Sequence, residues 1–456
     1  MPAPIRPLLA RLWPAALAVA LIGGLAAANR PGQSPPLFGA GLLANEAAMV
    51  QVGVDEAKGA EWVGDSTVLR LADGRLRWLP PGATEPVTAL AGDPAALAAA
   101  TADHAWLAAG LVPGATPETR RAAARSLLVL RQLTRPGGAA VAAAQPYWAY
   151  VWPRDASFTA AALAATGHRD EALAILGFLA SAQRPDGTWP ARSHPDASPV
   201  DDGRAAQLDA TGWVPWAAWV VADGGADRAA AAVSWPMVAA AARAAAGALG
   251  QGSDAGVLPP AGPDYRERGE RQPTLGTAAP LRAGLRAAAG LAARLGHDSD
   301  ARAFRAAADR LDAGMRARLH GPAGWRRTPS GGGPDASVTW LAPPFAPAEA
   351  GVAASVAAMR GALASGGGLV PGAPWAGRDP WTPATATFAL AAAGLGDRAT
   401  FEGILAWLLG HRTALGAFPE RVARADGAPR SVAPLAWTHA LVVLALVEAK
   451  DPLPVP

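Results

Sequence analysis

The 456-residue sequence contains no cysteine, and lysine occurs only at positions 58 and 450. The missing thiols exclude disulfide bonds, cysteine metal ligands and a cysteine nucleophile. The net charge of +3 comes from arginines scattered among acidic residues, without a basic stripe, so nucleic-acid binding is not indicated. The seven histidines form no HExxH pattern, which argues against a zinc hydrolase. We predict no metal site and no cofactor.

Residues 1–28 predict a secretory signal peptide. Arg6 and Arg11 precede an apolar run that ends in Ala26-Ala27-Ala28. A basic start, a short apolar segment and a small-residue exit are typical of such peptides. A retained membrane anchor is the alternative, because the run is only slightly short for a membrane span. We expect an exported protein, extracellular or associated with the cell envelope, that contacts a membrane only if this segment is retained.

The next two regions differ in composition from the rest of the chain. Residues 29–46 are rich in proline and glycine and predict a linker. Residues 47–92 contain short apolar runs, two of them separated by Asp73-Gly74, a typical hairpin signal. We therefore predict a small β-rich region at 47–92.

From residue 93 to 450 the pattern is helical. Apolar residues recur at three-to-four spacing in twelve segments: 94–110, 117–134, 154–166, 169–183, 204–222, 226–249, 275–295, 298–319, 347–364, 382–394, 398–411 and 433–449. Short and long connections alternate between them, as six helical hairpins in a ring would require. We predict a mainly α protein with an (α/α)6 barrel and its long loops on one face. A solenoid is the weaker alternative, since no residue-level repeat is visible.

One long loop combines aromatic and charged side chains. Tyr150 and Trp152 precede Arg154 and Asp155 at the start of a helical pattern. Aromatic faces beside a donor fork and an acceptor suit a sugar, which has apolar ring faces and a rim of hydroxyls. A structural role is the alternative, with the aromatics in the core and Asp155 complementing the helix dipole.

Four motifs, in order, resemble the glucoamylase-like enzymes of glycoside hydrolase family 15. They are Trp152-Pro153-Arg154-Asp155, Gln207-Leu208-Asp209, Pro263-Asp264-Tyr265-Arg266-Glu267, and Pro419-Glu420 followed by Pro434-Leu435-Ala436-Trp437-Thr438-His439. The similarity runs from about residue 93 to 449. Family membership would imply an (α/α)6 barrel and an oligo- or polysaccharide substrate.

The resemblance also implies roles for individual residues. Glu267 would be the general acid and Glu420 the general base. Arg154 and Asp155 would bind the sugar at the non-reducing end between Tyr150 and Trp152. The remaining candidate substrate-binding residues are Trp189, which would stack on the next sugar, Gln207, Asp209, Arg378 as the nearest match to a second binding arginine, and Trp437 with Thr438, which would hold the base loop.

The implied reaction is inverting hydrolysis at the non-reducing end of an α-glucan or α-glucoside. It needs a protonated and an ionised carboxyl about 6.5–9.5 Å apart, with a water between them. The family usually has an aromatic residue before the acid, where this chain has Arg266. Arg266 and Arg268 flank Glu267, and neighbouring cations favour a charged carboxylate. Glu270 is the alternative acid.

Two other functions remain open from the sequence. A non-catalytic carbohydrate-binding protein could keep the barrel and the Arg154–Asp155 pair while lacking a working acid, and Arg266 favours it. A terpene cyclase on a helical barrel would need Asp-rich motifs, for which Asp201-Asp202 is too little.

Overall fold

The computed structural model describes residues 35–249, 257–372 and 377–456; the predicted signal peptide, 1–28, lies outside these ranges. The described residues contain twelve α-helices. They are α1 Pro94–Ala108, α2 Pro117–Leu133, α3 Pro153–Ala165, α4 Arg169–Ser181, α5 Ala210–Val221, α6 Arg228–Ala248, α7 Leu275–Leu295, α8 Asp298–Leu319, α9 Ala350–Leu363, α10 Thr382–Gly394, α11 Arg398–Gly410 and α12 Ala436–Glu448. Each corresponds to one predicted segment.

The helices form two concentric rings. The inner ring consists of α3, α5, α7, α10 and α12, and a six-residue 3₁₀ segment, Ala336–Leu341, fills the position between α7 and α10. The outer ring consists of α4, α6, α8, α9, α11 and α2, which packs against α12. The predicted mainly α (α/α)6 barrel is confirmed.

One helix of the predicted hairpins lies outside the ring. Helix α1 packs against α2 and the N-terminal strands, and not against an inner helix. The inner partner of α9 is the 3₁₀ segment, which is too short to produce a helical period in the sequence. The predicted helix from residue 204 also starts late, because 204–206 are exposed loop and Asp209 is the N-cap of α5.

The strands are short and antiparallel. The strands are β1 Gly41–Ala44, β2 Met49–Val52, β3 Glu61–Trp62, β4 Leu69–Arg70, β5 Leu76–Trp78, β6 Val87–Ala89, β7 Thr134–Arg135, β8 Ala139–Ala140, β9 His320–Gly321, β10 Gly324–Trp325, β11 Ala364–Ser365, β12 Gly368–Leu369, β13 Arg421–Val422 and β14 Pro429–Arg430. Strands β3 to β6 form a four-stranded sheet, and the others pair as hairpins. Strand β1 lies inside the predicted linker, where residues 41–43 are buried. That part of the linker prediction is wrong, because Leu42 packs into the barrel core.

Aromatic side chains fill the middle of the barrel. Phe158 on α3 lies 5.1 Å from both Trp213 and Trp216 on α5, between ring centroids. It also lies 5.9 Å from Trp437 on α12 and 6.0 Å from Phe345, which follows the 3₁₀ segment. Aromatic side chains from α3, α5, α12 and the loop after the 3₁₀ segment thus pack together in the barrel.

We predict that Gly284→Ala destabilises the barrel by about 1–3 kcal/mol. Helices α5 and α7 touch at Gly212 and Gly284, and a Cβ on Gly284 would overlap the carbonyl oxygen of Gly212. The matched control is Gly403→Ala in α11, where a Cβ would meet no atom within 4 Å. That change should raise the free energy of unfolding by up to about 1 kcal/mol through helix propensity. Urea unfolding of both variants measures the difference, and equal effects would contradict the close packing.

Candidate active site

The first turns of the inner elements meet at one end of the barrel. Each inner element is entered from a long loop and left by a short one, so their N-termini share the loop-bearing end. The cap and first-turn residues there include Arg154, Asp155, Asp209, Thr274, Asp335, Thr382, Trp437 and Thr438. Several of the predicted site residues are therefore brought together by the ring, although they are far apart in sequence.

Arg154 is the centre of this group and is 94% buried. Its guanidinium lies 3.0 Å from Asp155 Oδ2 and donates to Gln207 Oε1 at 3.3 Å. Its carbon Cζ stacks over the ring of Trp437 at 4.5 Å from the centroid. One nitrogen also lies 3.9 Å from Glu267 Oε1. Each of the four predicted motifs therefore supplies a residue close to the guanidinium of Arg154.

Burial sets the protonation of the carboxyls around Arg154. Burial would lower the pKa of Arg154, but the neighbouring carboxylates raise it overall, so the guanidinium stays charged. Burial raises the pKa of Asp155. Burial raises the pKa of Asp209 to about 7, against the opposing effect of Arg154. Asp209 Oδ2 accepts from Trp213 Nε1 at 3.3 Å, and its Oδ1 has no hydrogen-bond partner among the described residues.

Glu267 lies on a strained turn between two arginines. Its φ of 58° is in the left-handed region, which non-glycine residues rarely adopt and which is concentrated at functional sites. Glu267 Oε2 pairs with Arg204, on the loop before α5, and Oε1 faces Arg154. The carboxyl group of Glu267 is therefore held between two guanidinium groups. That of Arg154 is buried in the barrel, and that of Arg204 is partly exposed at the surface.

Arg266, the departure from the family pattern, points away from Glu267. Its guanidinium pairs with Asp335 at the N-cap of the 3₁₀ segment. Arg327 donates to the same Asp335 at 3.1 Å and to Asp264 at 3.0 Å. A buried ion network therefore holds the guanidinium of Arg266.

Glu270, the alternative acid, belongs to this network. It lies 2.5 Å from Arg327, which also contacts Asp264 and Asp335. Tyr265 donates to Asp335 Oδ1 and to the carbonyl oxygen of Pro371, both at 3.0 Å. The network anchors the turn that presents Glu267 and leaves Glu270 with a structural ion pair.

Glu420 is 92% buried and is held by its own loop. Ser431 Oγ donates to Glu420 Oε2 at 2.5 Å. Ser431 has a φ of 64°, so this donor also depends on left-handed backbone. The Glu420 carbonyl accepts from the backbone of Thr382, whose hydroxyl lies 2.8 Å from that of Thr438. Through this pair the backbone of Glu420 is tied to the residue next to Trp437.

His439 supports the same loop and is not a catalyst. Burial lowers the pKa of His439 to about 3, so the ring is neutral. Its Nε2 accepts from the backbone N–H of Phe418 at 3.1 Å, which leaves the proton on Nδ1, 2.9 Å from Ser126 Oγ on α2. His439 is therefore a buried, hydrogen-bonded core residue.

The predicted aromatic walls are covered on one side. Arg192 stacks 4.6 Å from the ring centroid of Tyr150 and 5.1 Å from that of Trp152. Asp202 pairs with both Arg192 and Arg204. The segment 192–204 therefore crosses from the aromatic residues to Glu267. A cavity lined by Tyr265, Trp340, Trp381 and Trp437, among others, holds about 40 Å³, room for a few water molecules.

Two predicted site residues lie elsewhere. Trp189 is fully buried, and its Nε1 donates to the carbonyl oxygen of Leu179 in α4 at 2.7 Å. It packs in the core and offers no face to a sugar, so the stacking prediction is wrong. Arg378 is exposed and donates to the carbonyl oxygen of Ala364 in β11 at 3.0 Å, outside the Arg154 group. Its assignment as a second binding arginine stays a prediction.

Three contacting residues were not predicted. Arg204 and Ser431 lie in loops, where neither periodicity nor a familiar motif marks them. Thr382 could have been found, because it opens an inner helix just as the motif residues do.

The buried nitrogens Trp152 Nε1 and Trp437 Nε1 have no hydrogen-bond partner among the described residues.

No protein-family model matches the sequence, and no curated protein matches it. Solved structures share its fold. A wild-type glycosidase has a TM-score of 0.58 at 22% identity, over 71% of this chain and 95% of its own. The glucoamylase from Saccharomycopsis fibuligera has a TM-score of 0.59 at 12% identity, over 72% and 94%. A bacterial glucoamylase complexed with acarbose has a TM-score of 0.60 at 16% identity, over 80% of this chain and 62% of its own. The chain therefore has a glucoamylase-like fold.

We predict that Asp209→Asn changes the pH dependence of stability. The pKa of Asp209 is about 7 in the folded protein against 3.8 ordinarily. The folded state thus binds more protons than the unfolded state between these values, so this group lowers stability as pH rises from about 4 to 7. Asparagine removes that loss. The free energy of unfolding of the variant relative to wild type should rise by up to about 3 kcal/mol between pH 4.5 and 7.5. Urea titrations measure this. A difference in the free energy of unfolding that stays constant with pH would show that Asp209 is not protonated in the folded protein.

Proposed function

We propose that this protein is an inverting exo-glycosidase that hydrolyses α-glucans or α-glucosides at the non-reducing end. Glu267 is the general acid and Glu420 the general base. Arg154 and Asp155, with Gln207 and Trp437, bind the terminal sugar. The neighbouring structures are named glycosidases and glucoamylases, which supports glycoside hydrolysis as the class of reaction.

The proposal is carried by the arrangement around Arg154. This buried guanidinium contacts Asp155, Gln207 and Trp437, which come from three separate motifs, and faces Glu267 at 3.9 Å. Charged and hydrogen-bonding atoms grouped in this way suit the hydroxyls of one sugar. Glu267, on the more exposed side of the group, is suited to protonate the glycosidic oxygen.

Glu420 has the features of a base. Ser431 donates to Oε2 and so fixes the plane of the carboxyl group. Oε1 is left to accept a proton from water. In the reaction that we propose, water adds to the anomeric carbon as the glycosidic C–O bond breaks. Glu420 takes the proton of the water, and Glu267 gives its proton to the leaving oxygen.

A non-catalytic carbohydrate-binding protein is the second candidate. The observation that favours it is the ion pair between Arg204 and Glu267, since a carboxylate engaged by a guanidinium carries no proton to donate. Incubation with maltose, isomaltose, dextran and trehalose discriminates between the two. Released glucose supports the hydrolase, whereas sugar binding by calorimetry without release supports the binding protein.

We predict that Glu420→Gln abolishes hydrolysis and leaves sugar binding within about threefold of wild type. The amide keeps the shape and can still accept from Ser431, but it cannot take a proton from water, an effect of roughly 10²–10⁴-fold on the rate. The control is Glu402→Gln, which removes an exposed glutamate on α11. Turnover and binding are measured on the best substrate of the panel. Undiminished turnover in Glu420→Gln would rule out its role as base.

We predict a different pattern for Glu267→Gln. Hydrolysis of a disaccharide should fall by roughly 10²–10⁴-fold because an alkoxide leaving group needs a proton. Hydrolysis of α-glucosyl fluoride should fall by less than about tenfold, since fluoride leaves without one and Glu420 is intact. Equal losses on both substrates would show that Glu267 does not act as the acid.

A further inference from the structure

The contacts of Glu267 divide the site into two sides. Oε1 faces Arg154, which is 94% buried in the group proposed to bind the terminal sugar. Oε2 pairs with Arg204, whose side chain is 41% exposed. In a pocket that binds the end of a chain, the terminal sugar lies at the bottom and the leaving group toward solvent. Arg204 therefore lies on the side of the leaving group.

Arg204 is one of three linked charges on that side. Asp202 joins it to Arg192, which stacks on Tyr150 and Trp152. Within this triad two positive charges share one negative charge, and Glu267 supplies the second. When Glu267 carries the proton that it must donate, its charge no longer offsets Arg204. The triad is then left with one uncompensated positive charge beside the leaving group.

We propose that Arg204 determines specificity on the leaving-group side and that the preferred leaving group carries an anion, a carboxylate or a phosphate. An anionic leaving group restores the charge balance that protonation of Glu267 removes. It also binds a guanidinium through charge-assisted hydrogen bonds, which are about twice as strong as neutral ones. This inference rests on the proposed hydrolase function.

Matched substrates test the carboxylate. Maltitol and maltobionate are the pair for an enzyme that cleaves α-1,4 linkages, and isomaltitol and isomaltobionate are the pair for α-1,6. In each pair the open-chain leaving group carries a CH2OH group in the first compound and a carboxylate in the second. The reacting oxygen is remote from the substituent in each pair, so acidity of the leaving group hardly differs. We expect kcat/KM of the wild type to be at least tenfold higher for the anionic member, mainly through KM, and the ratio to fall in 0.5 M NaCl because salt screens the interaction.

Inhibition by free leaving groups tests both anions without depending on linkage. Gluconate and sorbitol 6-phosphate are each compared with sorbitol. If only gluconate inhibits more strongly than sorbitol, the anion of the preferred leaving group is a carboxylate. If only sorbitol 6-phosphate does so, the anion is a phosphate. Inhibition by all three at the same concentration would overturn the proposal.

Three variants test whether the preference for the anionic substrate depends on Arg204 itself. Arg204→Gln should bring the kcat/KM ratio to within about twofold of one while α-glucosyl fluoride, which has no leaving sugar, is still hydrolysed. Asp202→Asn removes the negative member of the triad and should increase the preference for the anion. The control Arg398→Gln, in an exposed pair with Glu402 on the outer ring, should leave the ratio unchanged.

The outcomes are distinct. A wild type that hydrolyses both members of a pair equally, or an Arg204→Gln variant that keeps the preference, overturns this inference and leaves the hydrolase function standing. Failure to hydrolyse any glucoside, α-glucosyl fluoride included, overturns the hydrolase function and this inference with it.

Discussion

A buried positive charge organises the loop-bearing end of the barrel. The guanidinium of Arg154 is withdrawn from water, and such a charge is tolerated only where acceptors and counter-charges surround it. Asp155 from its own helix, Gln207 from the next hairpin and the face of Trp437 from the last inner helix meet this requirement. Each of these partners belongs to a different part of the ring, so the ring has to close for the charge to be buried.

Left-handed backbone marks both carboxyl groups. Four non-glycine residues in the described part of the chain have a positive φ, and two of them are Glu267 and Ser431, the donor to Glu420. Such backbone costs of order 1–3 kcal/mol at each position and persists only where its surroundings enforce it. The Asp264–Arg327–Asp335 network enforces the turn at Glu267. The network thus lies directly beside Glu267, where it fixes the position of that carboxyl group.

The helices could be predicted because burial of one helix face makes apolar residues recur every three to four positions in the sequence. This period is still visible where the intervening residues are alanine. That signal needs length, so the six residues of the inner 3₁₀ segment, Ala336–Leu341, produced none. The position of α1 outside the ring was hidden for a related reason. A helix packed on strands has the same period as one packed on helices, and only the tertiary contacts of α1 distinguish them.

The site was predictable where it coincides with helix starts and not where it depends on loops. Arg154, Asp209 and Trp437 lie at the N-termini of inner helices, so ring closure brings them together. Trp189 looked similar in sequence but is a core residue, since a loop tryptophan can turn either way. The contact of Arg204 with Glu267 joins two loops, and no local pattern encodes it.

The central claim is that a carboxyl pair acts on opposite faces of a sugar held by Arg154. The most direct measurement is ¹H NMR of the first sugar released from the best α-linked substrate, at times short against mutarotation. We expect β-glucose as the initial product, because in the proposed reaction water activated by Glu420 attacks opposite the bond that Glu267 protonates. Initial α-glucose would contradict the account, since it requires attack from the same face or a covalent intermediate.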